Sequence, residues 1–424
     1  MSTARLAGIG PRHWMVVIGS GLLMSLNVLM FLAVGLLMPP LAASLGVGLG
    51  QAMVFVSISM LTGAAVLTIA GPFLLRSLGP RRLVLIGGIF TGLMLFLIAF
   101  IGELWQLYAL AFASGLLATA ALQMTGAALV NAWFITHRGL MQGVLMGVAG
   151  FGGIVAGLVL PGVVGAYGWR VGFQVVGVLT VALTIACGGL MIRSHPTDVG
   201  LLAHGAHNLV EEERAESDGI PARTAMRTPQ FAALLVGLTA ISGIMALQQH
   251  FASMMSDRGL DLAASGTLIT LLSLVNVGTT LLLGALADRW GASPAFLLAG
   301  CLLLVALSLF LLTSGYALQA TAVLLFSIPT ITPPIMTPIL LRAAFGGRAF
   351  VPLLGMATAT MPVGIAIGSP LWGFAKDTNG DYTLALGVAI GVAALAVLLV
   401  SWAVRSGQGF RQPMPAAQPE RLSG

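Results

Sequence analysis

The sequence predicts an all-α membrane protein of twelve transmembrane helices arranged as two six-helix bundles. Three observations predict this fold class. Lys, Arg, Asp and Glu make up only 8% of the 424 residues, whereas a soluble domain carries about a quarter. Uncharged apolar runs long enough to cross a bilayer recur along the chain, and one polar stretch divides them into two sets of six. Lipid must therefore be the solvent for most of the surface.

Each predicted helix rests on one uncharged run of about 20 residues, the length of α-helix that crosses a hydrocarbon core about 30 Å thick. The first run follows Arg5 and Arg12 in the manner of a signal peptide. Its apolar stretch is longer than the roughly 7 to 15 residues of a cleaved signal, so we expect an uncleaved anchor. The twelve runs are residues 14–38, 52–75, 83–101, 104–131, 140–163, 171–192, 230–255, 263–287, 294–314, 317–341, 349–374 and 382–404.

A polar stretch after the sixth run predicts a linker between the two bundles. Six runs on each side predict a parallel repeat with a central binding site between the halves. The predicted organisation is a cytoplasmic tail at 1–13, a first bundle at 14–192, a cytoplasmic linker at 193–229, a second bundle at 230–404 and a cytoplasmic tail at 405–424.

The distribution of cations predicts that both termini are cytoplasmic. With that orientation, only three of the 19 Lys and Arg residues fall on the outer side, namely Arg170, Arg258 and Lys376. The reverse orientation would violate the positive-inside rule. We therefore expect a multi-pass protein of the cytoplasmic (inner) membrane. Cytoplasmic arginines also account for the net charge of +6 without a nucleic-acid partner.

Two short, glycine-bounded cytoplasmic turns stand at equivalent positions of the two halves, at 71–82 and 284–291. They resemble the signature loop of the major facilitator superfamily. The second turn matches through Asp288 and Arg289, whereas the first has Arg81 but lacks the expected aspartate. The resemblance implies the major facilitator fold and a role for these charged residues in gating.

Further segments resemble the monocarboxylate-transporter-like and oxalate/formate-antiporter-like branch of this superfamily. The string NAWFITHRGLMQGVLMGVAG at 131–150 is similar to the start of helix 5 in these members, with Arg138 as a further gating residue. The resemblance implies a secondary transporter that works by alternating access, as a symporter or an antiporter. The other matching residues are Gly168, Trp169, Arg170, Arg193, Pro196, Asp198, Gly200, Leu201, Phe345, Gly346, Arg348, Gly355, Gly368, Pro370, Gly373, Asp377 and Tyr382.

The predicted membrane interior holds no charged residue, because every Asp, Glu, Lys and Arg falls in a loop, a tail or a helix end. Intramembrane carboxylates mark ion paths, and membrane hydrolases need a dyad, a metal cluster or a Ser/His pair. The sequence therefore predicts neither an enzyme nor a metal or cofactor site. Cys187 and Cys301 lie alone in apolar runs, which is typical of small core residues.

The few polar side chains inside the runs are the candidate substrate-binding residues. Asn27 lies in the first run, Gln123 in the fourth and Gln249 in the seventh. Polar groups would go unsatisfied against lipid, so their concentration on a few helices predicts an aqueous cavity between the halves. Packing and interhelical hydrogen bonding are the alternative roles.

The eighth run carries the clearest polar face, since Ser273, Asn276 and Thr280 follow one another at spacings of three and four residues. We expect this face to line the path. His250 lies in the outer part of the seventh run, and histidine titrates near physiological pH, which suits proton coupling. A histidine satisfied by water or a backbone carbonyl is the alternative.

Prolines crowd the tenth run at 329, 333, 334 and 338. Because proline lacks an N–H group and clashes with the preceding turn, these residues are incompatible with one regular helix. Pro333 and Pro334 are candidate gating residues in a bent, cavity-lining segment, with a fixed kink as the alternative.

Two threonines occupy positions where members of the monocarboxylate-transporter-like and oxalate/formate-antiporter-like branch carry cations. Thr280 replaces an arginine four residues before the helix 8 glycine, and Thr358 replaces the helix 11 cation of the oxalate type. A dianion would lack a compensating charge, so we expect a monocarboxylate or a weakly ionised organic acid, with protons as a candidate partner. The alternatives are an efflux carrier for amphipathic drugs or metabolites and a transporter-like sensor. We expect a monomeric functional unit in lipid.

Overall fold

A computed structural model describes residues 10–118, 124–134, 138–194, 196–199, 220–330 and 332–407. Gln123 therefore lies outside the described residues, as do the side chains of Arg138, Thr280 and Asp288. The described part of the chain is helical throughout, with short turns between the helices and no strand.

The described residues of the first half form seven helical segments, and the last of them continues into a π-helix. These elements are α1 (Pro11–Leu45), α2 (Leu49–Ile69), α3 (Gly71–Ile98), α4 (Leu104–Ala118), α5 (Met124–Trp133), α6 (Arg138–Ala149), α7 (Phe151–Leu183) and the π-helix Thr184–Met191.

The second half contains the remaining helices, and a 3₁₀ segment interrupts its first transmembrane helix. These elements are α8 (Ala222–Ala225), α9 (Pro229–Met245), the 3₁₀ segment Ala246–His250, α10 (Phe251–Ser256), α11 (Leu262–Trp290), α12 (Ala292–Leu312), α13 (Tyr316–Thr330), α14 (Thr332–Phe345), α15 (Phe350–Thr358), α16 (Thr360–Asn379) and α17 (Thr383–Gly407).

Ten helical stretches of the described residues are long and apolar enough to cross a membrane, and Leu104–Leu117 is a shorter apolar helix. One of the ten, Leu140–Met191, has 52 residues. At a rise of about 1.5 Å per residue it is more than twice as long as a hydrocarbon core is thick. Gly168, with φ of 81°, breaks it where the fifth predicted run ends and the sixth begins. The predicted all-α, multi-spanning fold is confirmed.

The proline-rich tenth span is described as helix on both sides of residue 331, as α13 up to Thr330 and as α14 from Thr332. Pro333 and Pro334 both lie in α14. Pro333 is buried and Pro334 is exposed.

Among the described residues, the two halves meet where α2 packs on α16, where α6 and α7 pack on α11, and where α1 packs on the 3₁₀ segment Ala246–His250 and α10. We define the distal end of the molecule as the end that carries the turns at 46–48, 257–261 and 380–382. The opposite end, which carries Pro11, is the proximal end.

Glycines allow the two halves to approach closely at the distal end. A Cβ added at Gly157 of α7 would lie 2.4 Å from the carbonyl oxygen of Gly266 in α11. A Cβ added at Gly373 of α16 would lie 2.7 Å from the Cα of Gly50 in α2. Side chains at these positions would separate the helices. Lipid gives no hydrophobic drive for helix association, so the close van der Waals packing that glycine allows holds the halves together.

Candidate functional site

Hydrogen bonds join described residues of the two halves along the contact between α2 and α16, which closes the distal end. The Asp377 carboxylate of α16 accepts hydrogen bonds from the backbone N–H groups of Leu49 (3.0 Å) and Gly50 (2.8 Å), at the start of α2. Deeper in the contact, the Ser57 hydroxyl donates to the carbonyl oxygen of Ala366 (2.5 Å), and the Ser369 hydroxyl oxygen lies 3.7 Å from the sulfur of Met53.

His250 is fully buried beside this closed end, and both its ring nitrogens are engaged. Nε2 lies 2.8 Å from the carbonyl oxygen of Ser369, and Nδ1 lies 2.9 Å from the hydroxyl of Tyr382. A carbonyl oxygen can only accept, so Nε2 carries the hydrogen and Nδ1 accepts from Tyr382 in the neutral ring. Burial raises the pKa of Tyr382, which keeps its phenol protonated and able to donate.

Gln249 belongs to the same buried cluster. Its side-chain oxygen Oε1 accepts a hydrogen bond of 2.5 Å from the Ser369 hydroxyl. Its backbone carbonyl contacts α1 so closely that a Cβ at Gly35 would lie 2.5 Å from the carbonyl oxygen. We name Gln249, His250, Ser369 and Tyr382 the distal cluster. In this conformation two predicted site residues, Gln249 and His250, are satisfied by protein groups.

Ser273 and Asn276 share the predicted face of α11 but have different surroundings. The Ser273 hydroxyl bonds its own helix at the carbonyl of Ile269 (2.9 Å) and packs against Gly153 of α7, in the other half. The Asn276 oxygen Oδ1 accepts from the Thr330 hydroxyl at 3.3 Å. Ser273 is therefore part of the contact between the halves, and Asn276 lies one turn closer to the proximal end.

Asn27 of α1 lies at a depth similar to that of Asn276. Gly152 of α7 packs against the backbone of Ser25 and Leu29, which flank Asn27, and the next residue, Gly153, packs against Ser273 of α11. Asn27 therefore lies near the level of Ser273, and Asn276 lies three residues, about 5 Å, further toward the proximal end. Both amides lie beside the contact between α7 and α11, which extends to Gly150 and Val277.

The amide nitrogen Nδ2 of Asn27 is buried and has no hydrogen-bond partner among the described residues. A buried donor without a partner costs about 1–3 kcal/mol, so such groups are uncommon in finished cores. The level occupied by Asn27 and Asn276, beside the contact between α7 and α11, is therefore the candidate binding level. Thr358, by contrast, is exposed at the end of α15 and bonds the Gly355 carbonyl of its own turn.

The predicted gating residues are placed unequally. Arg81 is anchored, because its Nε and Nη2 donate to the carbonyls of Gly188 (3.1 Å) and Gly189 (2.7 Å) in the π-helix. Arg289 is exposed at the end of α11. Arg81 thus ties α3 to the proximal end of the helix before the linker.

Replacement of Arg81 by glutamine is expected to destabilise the first half by about 1.5–3 kcal/mol, because the two carbonyls lose charge-assisted hydrogen bonds. The midpoint of thermal unfolding in detergent measures this effect. Arg82→Gln is the matched control, since Arg82 is exposed on the same turn. An equal loss of stability in both variants would contradict the anchoring role.

Sequence reasoning did not select Ser369, Asp377 or Tyr382 as site residues. Asp377 and Tyr382 occur only within the motif that resembles the monocarboxylate-transporter-like branch. Their partners lie far away in sequence, 119 residues for Ser369 with His250 and 132 residues for Tyr382 with His250. Among the described residues, no group of three or more His, Cys, Asp and Glu side chains is placed to hold a metal ion.

Similarity to known proteins agrees with this architecture. A profile of the Major Facilitator Superfamily matches residues 20–351. Monocarboxylate transporter 13 of Rattus norvegicus is 25% identical over 326 residues, which are 75% of this chain and 72% of that relative. The protein of the same name from Bos taurus is 25% identical with the same coverage. The predicted resemblance to the superfamily and to its monocarboxylate-transporter-like branch is confirmed.

Solved structures of transporters share the fold. The nucleoside transporter NupG superposes with a TM-score of 0.73 at 12% identity, over 93% of this chain and 99% of that one. A bacterial homolog to the human lysosomal transporter Spinster, in an inward-facing and occupied conformation, gives 0.69 at 14% identity, over 96% of this chain and 100% of that one. Since the profile covers more than half of the residues, this multi-pass membrane protein belongs to the Major Facilitator Superfamily.

Proposed function

We propose that the protein is a secondary active transporter that moves a small organic solute across the cytoplasmic membrane by alternating access. The observation that carries the proposal is the pair of amides, Asn27 and Asn276, at a similar depth beside the contact between two helical halves. A site of this kind becomes accessible from the other side when the halves rock apart at the distal end.

The proposed substrate is a monocarboxylate or a weakly ionised organic acid. The Asn27 amide nitrogen can donate to a carboxylate oxygen, whereas Thr280 and Thr358 occupy the positions where the related branch has cations. Neutral donors offset the desolvation of one negative charge better than that of two. Movement of the acid together with a proton would remove even that charge, so proton-coupled symport belongs to the proposal.

The proposed orientation places both termini in the cytoplasm. The positive-inside distribution of Lys and Arg supports it. The distal end then faces outward, and the structure corresponds to a state closed to the outside. We propose that one chain forms the functional unit.

Uptake of labelled organic acids into proteoliposomes tests the proposal. We expect accumulation of at least one monocarboxylate, stimulated by an inward proton gradient and abolished when the gradient is collapsed. Absence of flux above empty vesicles for every acid tested would refute the substrate class. Drug sensitivity of a deletion strain, without acid flux, would instead favour the efflux carrier.

Replacement of Asn276 by leucine is expected to reduce transport at least about tenfold while the purified protein remains folded, because a buried polar contact to the solute is lost. Initial uptake rates at matched protein amounts measure the effect. Thr267→Leu is the matched control, because Thr267 is exposed on the same helix and its hydroxyl donates to the Ala263 carbonyl of that helix. Normal transport by Asn276→Leu would leave Asn276 with a packing role.

A further inference from the structure

The N-terminus of α2 is capped by a residue of the other half. Both carboxylate oxygens of Asp377 accept backbone hydrogen bonds, Oδ1 from Leu49 at 3.0 Å and Oδ2 from Gly50 at 2.8 Å. Leu49 and Gly50 are the first two residues of the helix, whose leading N–H groups have no partner within it. The position that usually supplies a side-chain cap is Gly48, which has none. The carboxylate also lies at the positive end of the helix dipole.

The local sequence accommodates this contact through glycine. A Cβ at Gly48 would lie 2.4 Å from Oδ2 of Asp377, and a Cβ at Gly50 would lie 2.4 Å from the ring of Phe374. An ordinary residue at either position would hold α16 away from the end of α2. The start of α2 thus has no side-chain cap of its own, and the space that such a cap would fill is open to the Asp377 carboxylate.

Lys376, the residue before Asp377, fixes the last turn of α16 to the second half. Its ammonium group contacts the Ser253 hydroxyl of α10 at 2.9 Å and the carboxylate of Asp257, directly after α10, at 2.5 Å. About a quarter of each charged side chain in this ion pair is exposed, 22% for Lys376 and 26% for Asp257. Lys376 therefore holds the turn in place within the second half, while Asp377 bonds the first half.

Two other aspartates at the distal end cap helices of their own half. Asp261 accepts from the N–H of Ala264 at 2.7 Å, at the start of α11. Asp381 accepts from the N–H of Thr383 at 2.9 Å, at the start of α17. These bonds persist however the halves move, whereas the Asp377 bonds exist only when the halves meet at the distal end.

We propose that Asp377 is an interdomain latch whose two hydrogen bonds to the N-terminus of α2 set the balance between the closed and open distal end. The inference deepens the proposed function and rests on its alternating access. Opening must transfer both N–H groups and the carboxylate to water, so loss of the latch shifts the population toward the open state. Asp377→Asn keeps the shape of the side chain but turns an NH₂ group toward an N–H donor and removes the charge.

Thiol labelling at the distal contact tests the latch without any substrate. Met53 is fully buried there, beside Ser369. The reporter is Met53→Cys in a chain that carries Cys187→Ala and Cys301→Ala, and the probe is a water-soluble maleimide added to the purified protein. We expect Asp377→Asn to raise the labelling rate about tenfold, the factor that one charge-assisted hydrogen bond contributes. Gly48→Ala, which keeps the charge, is expected to raise it as well.

Asp381→Asn is the matched control, since it makes the same charge change four residues away without affecting a bond between the halves. We expect its labelling rate to equal that of the parent. A parental rate in both Asp377→Asn and Gly48→Ala, or an equal rise in Asp381→Asn, would overturn the latch. Failure of every solute in the uptake assay would refute the substrate class and leave this result unaffected, so the two failures are distinguishable.

Discussion

Replacement of Gly157 by leucine is expected to slow transport strongly while the protein remains folded. The Cβ alone would lie 2.4 Å from the carbonyl oxygen of Gly266 and 2.3 Å from the hydroxyl oxygen of Thr270, both in the opposite half. The added bulk can be relieved by separation of the halves, so it disfavours the closed distal state rather than the fold of either half. Overpacking of this kind costs about 1–3 kcal/mol, which corresponds to about 5- to 150-fold in the population of the closed state.

Initial uptake rates and labelling of the Met53→Cys reporter measure the two consequences of Gly157→Leu, namely slower transport and a more open distal end. Gly162→Leu is the matched control, because a Cβ at Gly162 on the same helix meets nothing within 4 Å. We expect its transport to stay near that of the parent. Equal rates for Gly157→Leu and Gly162→Leu would show that closure at this crossing is not required for transport.

Replacement of His250 by alanine is expected to cause the largest loss of stability. The ring is fully buried, and its removal leaves the Ser369 carbonyl and the Tyr382 hydroxyl without their partners and opens a cavity. Cavity formation and unpaired polar groups together cost about 3–5 kcal/mol. We expect the midpoint of thermal unfolding in detergent to fall by about 5–10 °C, and transport to fall with it.

Tyr382→Phe is the graded control for the His250 prediction, since it keeps the ring and removes one hydroxyl. We expect a loss of about 1–2 kcal/mol, the value of one buried hydrogen bond. His250→Gln, which retains a donor that can reach the Ser369 carbonyl, should fall between the two variants. If His250→Ala were no less stable than Tyr382→Phe, the distal cluster would have no structural role beyond that hydroxyl.

The spans could be predicted because the cost of placing a residue in lipid depends on that residue and its neighbours in the chain. Uncharged runs marked α12 and α17 within three residues of their observed positions, whereas α1 extends seven residues beyond the predicted run. The division into halves followed from one polar stretch. The π-helix Thr184–Met191 and the 3₁₀ segment Ala246–His250 were not predicted, because such local changes of helix winding depend on contacts with other helices.

The candidate site could be predicted only in part. Helical spacing placed Ser273 and Asn276 on one face of α11, but spacing carries no information about what that face meets. The structure places Ser273 against Gly153 of the other half and Asn276 below that contact. For His250, the sequence left two roles open, proton coupling and a histidine satisfied by water or a backbone carbonyl. The structure shows that its ring nitrogens contact a backbone carbonyl and a phenol.

The sequence by itself determined the all-α, multi-spanning fold, the rough limits of several spans and the family, because apolar runs, charges and short motifs are local properties of the chain. Only the tertiary structure decided which polar groups meet. Leu49 and Asp377 are 328 residues apart in sequence, yet their atoms lie 3.0 Å from each other. Such a bond depends on which helices pack together and at what height, and that is set by close packing over the whole molecule.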